Sequence, residues 1–198
     1  MPMRIAVLQV ALRPDRDDQV RALAEANARA IAQGAEAVFS AAIPDAGIVA
    51  TADGSSAIGS LVRLEGDAAL DHAEHARALS ERPDVLVLSP GAESDLQAEA
   101  VLELALGLST SVAGLVLVTE HAGAPAGEPG HGDSAIVLLG EVVAEAVNED
   151  DVITAEIPVP VPAPKPRSPL PAVAPILEQR LAHHRGRRLD PDYLADLS

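Results

Sequence analysis

Four side chains in and around one glycine- and proline-rich stretch, residues 123–133, are of the types a Ser/His/Asp hydrolase uses: His121, His131, Asp133 and Ser134. Ser, His and Asp together supply a nucleophile, its base and the acid that orients the base. The nucleophile-elbow pattern Gly-x-Ser-x-Gly is absent, and Gly132-Asp133-Ser134 is accounted for as the turn that opens a strand. His72 and His75, three apart, share one helix face with Glu74 or Glu65 nearby. Two imidazoles without an identifiable third ligand fall short of a metal site, so no metal or cofactor is expected. The same glycine-rich stretch lacks Gly-Lys-Ser/Thr and carries Glu128, which repels phosphate. The chain has no cysteine, which excludes thiol nucleophiles, disulfides and Cys-zinc sites outright.

These groups must be positioned by a regular scaffold, and the apolar pattern outlines one. Arg4–Val10, Glu36–Ala42, Asp84–Leu88, Ala113–Thr119 and Val152–Ile157 read as strands, with Ile58–Leu64 a weaker one. Ser134–Leu139 and Val142–Ala146 flank Gly140-Glu141 and read as a hairpin. Helices are expected over about Gln19–Gln33, where Asp15, Asp17 and Asp18 supply negative charge at the start, and over Asp67–Ser80 and Asp95–Leu108. Residues 43–57 read as loop. Strands and helices alternate early and strands pair locally later, which predicts α/β layering with a largely parallel sheet and some antiparallel strands.

Charge divides the 198 residues in two. Residues 1–157 hold 8 basic and 26 acidic side chains, net −18, whereas residues 158–198 hold 6 and 4, net +2. The boundary lies in the proline-rich run Ile157–Pro171, where missing amide donors and fixed φ favour an extended arm. Beyond it, Val173, Ile176, Leu177 and Leu181 recur at helical spacing, and the helix ends in a basic cluster from His183 to Arg188. That basic end is expected to dock on an acidic body, its own or a partner's. A net charge of −16 makes this an acidic protein and argues against nucleic acid and anionic membranes as partners. One Phe, one Tyr and no Trp leave little to stack on bases. No apolar run approaches the ~18 residues of a membrane span, and the start reads as a buried strand rather than a signal peptide, so a cytoplasmic location is expected.

Five ordered stretches carry a family likeness: Ile5–Val10, Ala32–Phe39, Asp84–Ala92, Leu115–Gly123 and Gly132–Ala146. Together they span residues 3–157 and resemble the carbon–nitrogen hydrolase (nitrilase/amidase) superfamily. The resemblance implies an α-β-β-α sandwich with mixed sheets, here shortened and followed by the proline-rich arm and C-terminal helix (domains 1–157 and 158–198). It also implies a homodimer that pairs the outer helices at about Asp67–Ser80 and Asp95–Leu108.

The family works through a Glu base, a Lys that stabilises the oxyanion and a Cys nucleophile. By position, the Glu falls on Ala42 and the Cys on Arg63, while the Lys would lie in a largely missing segment between about Ile48 and Ile58. Sliding Asp45 into the base position restores a carboxylate but no sulfur. No residue of this chain is therefore assigned a catalytic role. The resemblance puts Ala42, Asp45, Arg63, Glu65, Glu120, His131 and Asp133 around the old pocket. Arg63 there must meet an anion: Glu65, Asp45 or Glu120, or else the carboxylate or phosphate of a small anionic ligand. The expected function is a pseudoenzyme serving as a binding or oligomeric module. The alternatives are an active, atypical amidase-like hydrolase and a structural subunit bound to a protein partner.

Overall fold

The computed structural model describes residues 1–41, 58–122, 132–147, 149–164 and 170–188. Strands β1 (Pro2–Gln9), β2 (Ala37–Ser40), β3 (Leu61–Glu65), β4 (Val85–Ser89), β5 (Leu115–Val118), β6 (Ala135–Leu138), β7 (Glu141–Glu145) and β8 (Asp151–Pro158) form two sheets. The first has the order β2-β1-β8, with β1 parallel to β2 and antiparallel to β8. The second has the order β3-β4-β5-β6-β7, parallel through β5 and antiparallel beyond it. The helices are α1 (Arg16–Ala32), α2 (His72–Glu81), α3 (Asp95–Ser109) and α4 (Pro175–Arg188).

Three apolar clusters correspond to the three interfaces of a four-layer sandwich. Leu23, Ala26 and Ala30 of α1 pack on Ala6, Leu8 and Val38 of the first sheet. Ile5, Val7 and Phe39 of that sheet face Val85, Val87, Leu115, Leu117 and Ile136 of the second. Leu86, Leu88 and Val116 on the far side of the second sheet meet Val101, Leu104 and Leu108 of α3 and Leu177 and Leu181 of α4. Strands β4 and β5 are covered on both faces, which is why their sequences run continuously apolar instead of alternating. Among the described residues no helix is long and apolar enough to cross a membrane.

Local chemistry sets the element ends. Asp15 caps α1 by accepting from the amides of Asp17 and Asp18. The helix expected over Asp67–Ser80 is interrupted: a 3-10 turn covers Gly66–Leu70, and α2 begins only after Asp71. Asp71 sits in extended backbone at ψ 122° and accepts from Ala73 N, so its side chain caps a new helix at the cost of breaking the run. The hairpin turn is Leu139-Gly140, one residue earlier than read from the sequence. Both residues have positive φ (49° and 88°), as a two-residue turn between twisted strands requires.

The proline-rich arm and α4 lie on the body. Val161 is buried in the inter-sheet cluster, and Leu177 of α4 is fully buried against the body. Gly114 has no room for a side chain, because a Cβ there would lie 1.8 Å from the Pro162 carbonyl oxygen. Two basic residues of α4 dock within the chain. Arg185 pairs with Asp71 at 2.6 Å, and His184 reaches Asp67 at 3.0 Å and Glu93 at 3.4 Å.

Candidate functional site

The carboxyl ends of β1, β2, β3 and β5 come together across the two sheets, the end of an α/β architecture where ligands usually bind. Gln9, fully buried at the end of β1, accepts from Ser134 N at 2.8 Å and donates from Nε2 to the carbonyls of Val147 and Glu149. His121, just past β5, has its Nδ1 3.4 Å from the Val10 carbonyl. Arg63 of β3 crosses to β2, donating from Nη1 to the Ser40 carbonyl at 2.9 Å.

Arg63 pairs in register with Val87, whose side chain lies in the inter-sheet cluster, so the guanidinium starts from the interior face. Its side chain is 17% exposed, and among the described residues its one ion pair is with the half-exposed Glu65, Nη1 to Oε1 at 3.9 Å. Burial lowers its pKa, and the Glu65 charge offsets that only partly. Arginine stays protonated in a protein, so the result is a partly desolvated cation facing a distant carboxylate.

Glu120 has different partners. Its carboxylate, 2% exposed, accepts from Ala92 N at 3.2 and 3.3 Å, in the loop between β4 and α3. Burial pushes its pKa up to about 7; the Ala92 amide, the Arg180 charge and the Gly91 amide pull it down, and Asp133 adds repulsion. Arg180 reaches this loop from α4, donating to the Pro90 carbonyl at 2.8 Å and to Gln97 Oε1 at 3.4 Å. Asp133 lines a surface cleft of about 430 Å³ with Asp95, Leu96, Glu99 and Glu145.

Of the pocket set expected from the sequence, Arg63 and Glu65 form an ion pair at 3.9 Å, Glu120 feels the charge of Asp133, and among the described residues no hydrogen bond or ion pair joins Arg63 to Glu120 or Asp133. Ala42, Asp45 and His131 lie outside the described residues, as does the segment in which a Lys was sought. Ser134 is fully buried, its Oγ shared between the backbone N and O of Glu120, so that hydroxyl braces the β5 terminus and cannot meet a substrate. His75 is likewise buried against the Ala69 carbonyl, and Glu74 pairs with Arg77, so His72 and His75 do not form the start of a ligand set. Among the described residues no three His, Asp or Glu side chains converge as a metal site would need.

Sequence reasoning missed three participants: Gln9, the Ser40 carbonyl and Arg180. Arg180 had a signal, because its spacing from Ile176, Leu177 and Leu181 puts it on the apolar face of the C-terminal helix. A cation on that face must find a buried acceptor.

No family model matches the sequence, and no curated protein matches it either. Solved structures do match by shape. A double mutant of the amidase from Nesterenkonia sp. AN1 in complex with acrylamide is 16% identical, with a TM-score of 0.65 over 95% of this chain and 97% of that one. A mutant of the same amidase with the acetamide moiety of fluoroacetamide on its active-site cysteine gives 14% identity, a TM-score of 0.63, and coverage of 79% and 90%. A third mutant, described as an amidase from the nitrilase superfamily, is 15% identical with a TM-score of 0.65 over 94% and 97%. By this likeness of shape, the chain has the fold of these nitrilase-superfamily amidases.

Proposed function

We propose that this is a carbon–nitrogen hydrolase-like protein that does not hydrolyse amides by the thioester route and serves instead as a binding module. One observation carries the reading. The residue that the resemblance aligns with the nucleophile is Arg63, a guanidinium anchored to the Ser40 carbonyl, in a chain of 198 residues without a single cysteine. A guanidinium has no lone pair with which to attack a carbonyl carbon. The Ser134 hydroxyl is spent on the backbone, and Glu120, whose pKa is strongly raised, is sealed among amides and Arg180. The shortening inferred between β2 and β3 is part of the same proposal, as the loss of the stretch that would carry a catalytic Lys.

The test is a panel of short amides, nitriles and esters incubated with the purified chain, alongside the Arg63→Ala, Asp45→Asn and His131→Ala variants. No turnover above buffer is expected from any of the four proteins. Turnover by the parent chain that one of those substitutions abolishes overturns the proposal and makes the chain an atypical hydrolase.

A further inference from the structure

We propose that Arg63 is the anchor of a binding site for a small monocarboxylate, at the crevice where the ends of β2 and β3 meet. The inference rests on the reading that the nucleophile's place has been given up, and it adds the chemistry of what occupies that place.

The geometry of the guanidinium is the starting point. Both recorded contacts of Arg63, the Ser40 carbonyl at 2.9 Å and Glu65 at 3.9 Å, are made by Nη1. Nε and Nη2 have no hydrogen-bond partner among the described residues. Those two nitrogens form one planar edge, with parallel N–H bonds spaced to match the two oxygens of a carboxylate. A lysine could not offer that edge, and a surface arginine would offer it at little net gain because water competes for it. Here the side chain is 17% exposed, so part of the desolvation cost is already met in the folded chain. The carbonyl of Ser40 fixes the plane, which removes rotamer entropy that a ligand would otherwise have to overcome.

Charge selects among oxyanions. Glu65 Oε1 lies 3.9 Å from the same guanidinium, and the chain carries a net charge of −16. A second negative charge on the ligand would be repelled by both, so a monoanion is favoured over a phosphate dianion. Val87, in register beside Arg63, and Phe39, on the facing sheet, make the surroundings of the guanidinium apolar, which suits a ligand with a short apolar tail.

Full-length protein labelled with 15N at arginine is titrated with acetate, butyrate, inorganic phosphate and acetamide at low ionic strength, following the Arg63 Nε–Hε resonance. Butyrate is expected to shift that resonance saturably, in the millimolar range, with acetate weaker, phosphate weaker than either, and acetamide without effect. Arg63→Lys, followed by competition and calorimetry, is expected to weaken butyrate binding several-fold, and Arg63→Gln at least tenfold. A circular dichroism spectrum and urea midpoint for each variant separate lost binding from lost fold, and Arg63→Lys retains the charge if Arg63→Gln unfolds. An unmoved resonance with butyrate, equal binding by acetamide, tighter binding of phosphate, or undiminished binding by a folded Arg63→Gln protein each overturn the inference. Amide turnover accompanied by butyrate binding overturns the non-catalytic reading but leaves this site standing. Absent binding without turnover does the reverse.

Discussion

Replacing Glu120 with Gln is expected to change the pH dependence of stability, and the size of the change follows from where the carboxyl sits. Burial at 2% exposure raises its pKa from 4.5 to about 7 in the folded chain. An acid whose folded pKa exceeds its unfolded one holds its proton more tightly when folded. Its favourable contribution is therefore complete below about pH 4.5 and disappears as the pH rises through about 7. At 1.36 kcal/mol per pKa unit, the swing is about 3 kcal/mol. Glutamine keeps an oxygen for the Ala92 amide but does not titrate, so the Glu120→Gln protein lacks that swing. Urea unfolding of both proteins from pH 4 to 8.5 isolates it, because every other titrating group cancels in the difference. The variant is expected to gain about 3 kcal/mol relative to the parent between the two ends of that range, as the linkage relation requires. A difference that stays flat with pH would refute the placement of Glu120 as a sealed acid among the Gly91 and Ala92 amides and Arg180.

Other perturbations test how the C-terminal arm and helix are held. Gly114→Ala places a Cβ 1.8 Å from the backbone of Pro162, so the arm must move; a loss of roughly 1–3 kcal/mol is expected, read as a lower urea midpoint. Leu177→Ala empties a fully buried position on the inner face of α4 and is expected to cost about 2–5 kcal/mol, with faster proteolysis after the proline run. Asp71→Ala removes both the cap of α2 and the partner of Arg185, and about 1 kcal/mol is expected, of which the ion-pair share shrinks in high salt. Leu96 is 58% exposed on α3, where the expected pairing of outer helices would close. Leu96→Glu is expected to shift a self-associating chain toward a 20 kDa particle in sedimentation, and an identical profile for both proteins would argue against that surface.

The layers of the fold were legible because burial leaves a periodic mark. Strands β4 and β5 lie between two covered faces and read as unbroken runs of Val and Leu, while α1 buries Leu23, Ala26 and Ala30 along one stripe. Interruptions were harder to read. Asp71 is a cap only because the chain turns there, and nothing in Asp67–Ser80 distinguishes a capping aspartate from a solvated one. The hairpin slipped by one residue for a similar reason: Leu139 adopts a positive φ that its side chain disfavours, and the pairing of Leu138 with Glu141 imposes it.

The candidate site shows the same division. Composition alone removes thiol chemistry, since no packing can create a sulfur, and the acid excess makes the body repel polyanions in any conformation. Which side chains share a crevice is a different matter, because long-range proximity depends on how two sheets and a returning helix stack. Arg63 and Ser40 lie 23 positions apart and meet only across the sandwich. Arg180 follows Pro90 by 90 positions and reaches it only because Leu177 and Leu181 seat α4 on α3 and the second sheet. Glu120 and Arg63, grouped from the sequence, take different partners in the folded chain, the Ala92 amide for one and the Ser40 carbonyl for the other. A carboxylate settles where amides and a cation can pay for its burial, and only the folded chain decides where that is.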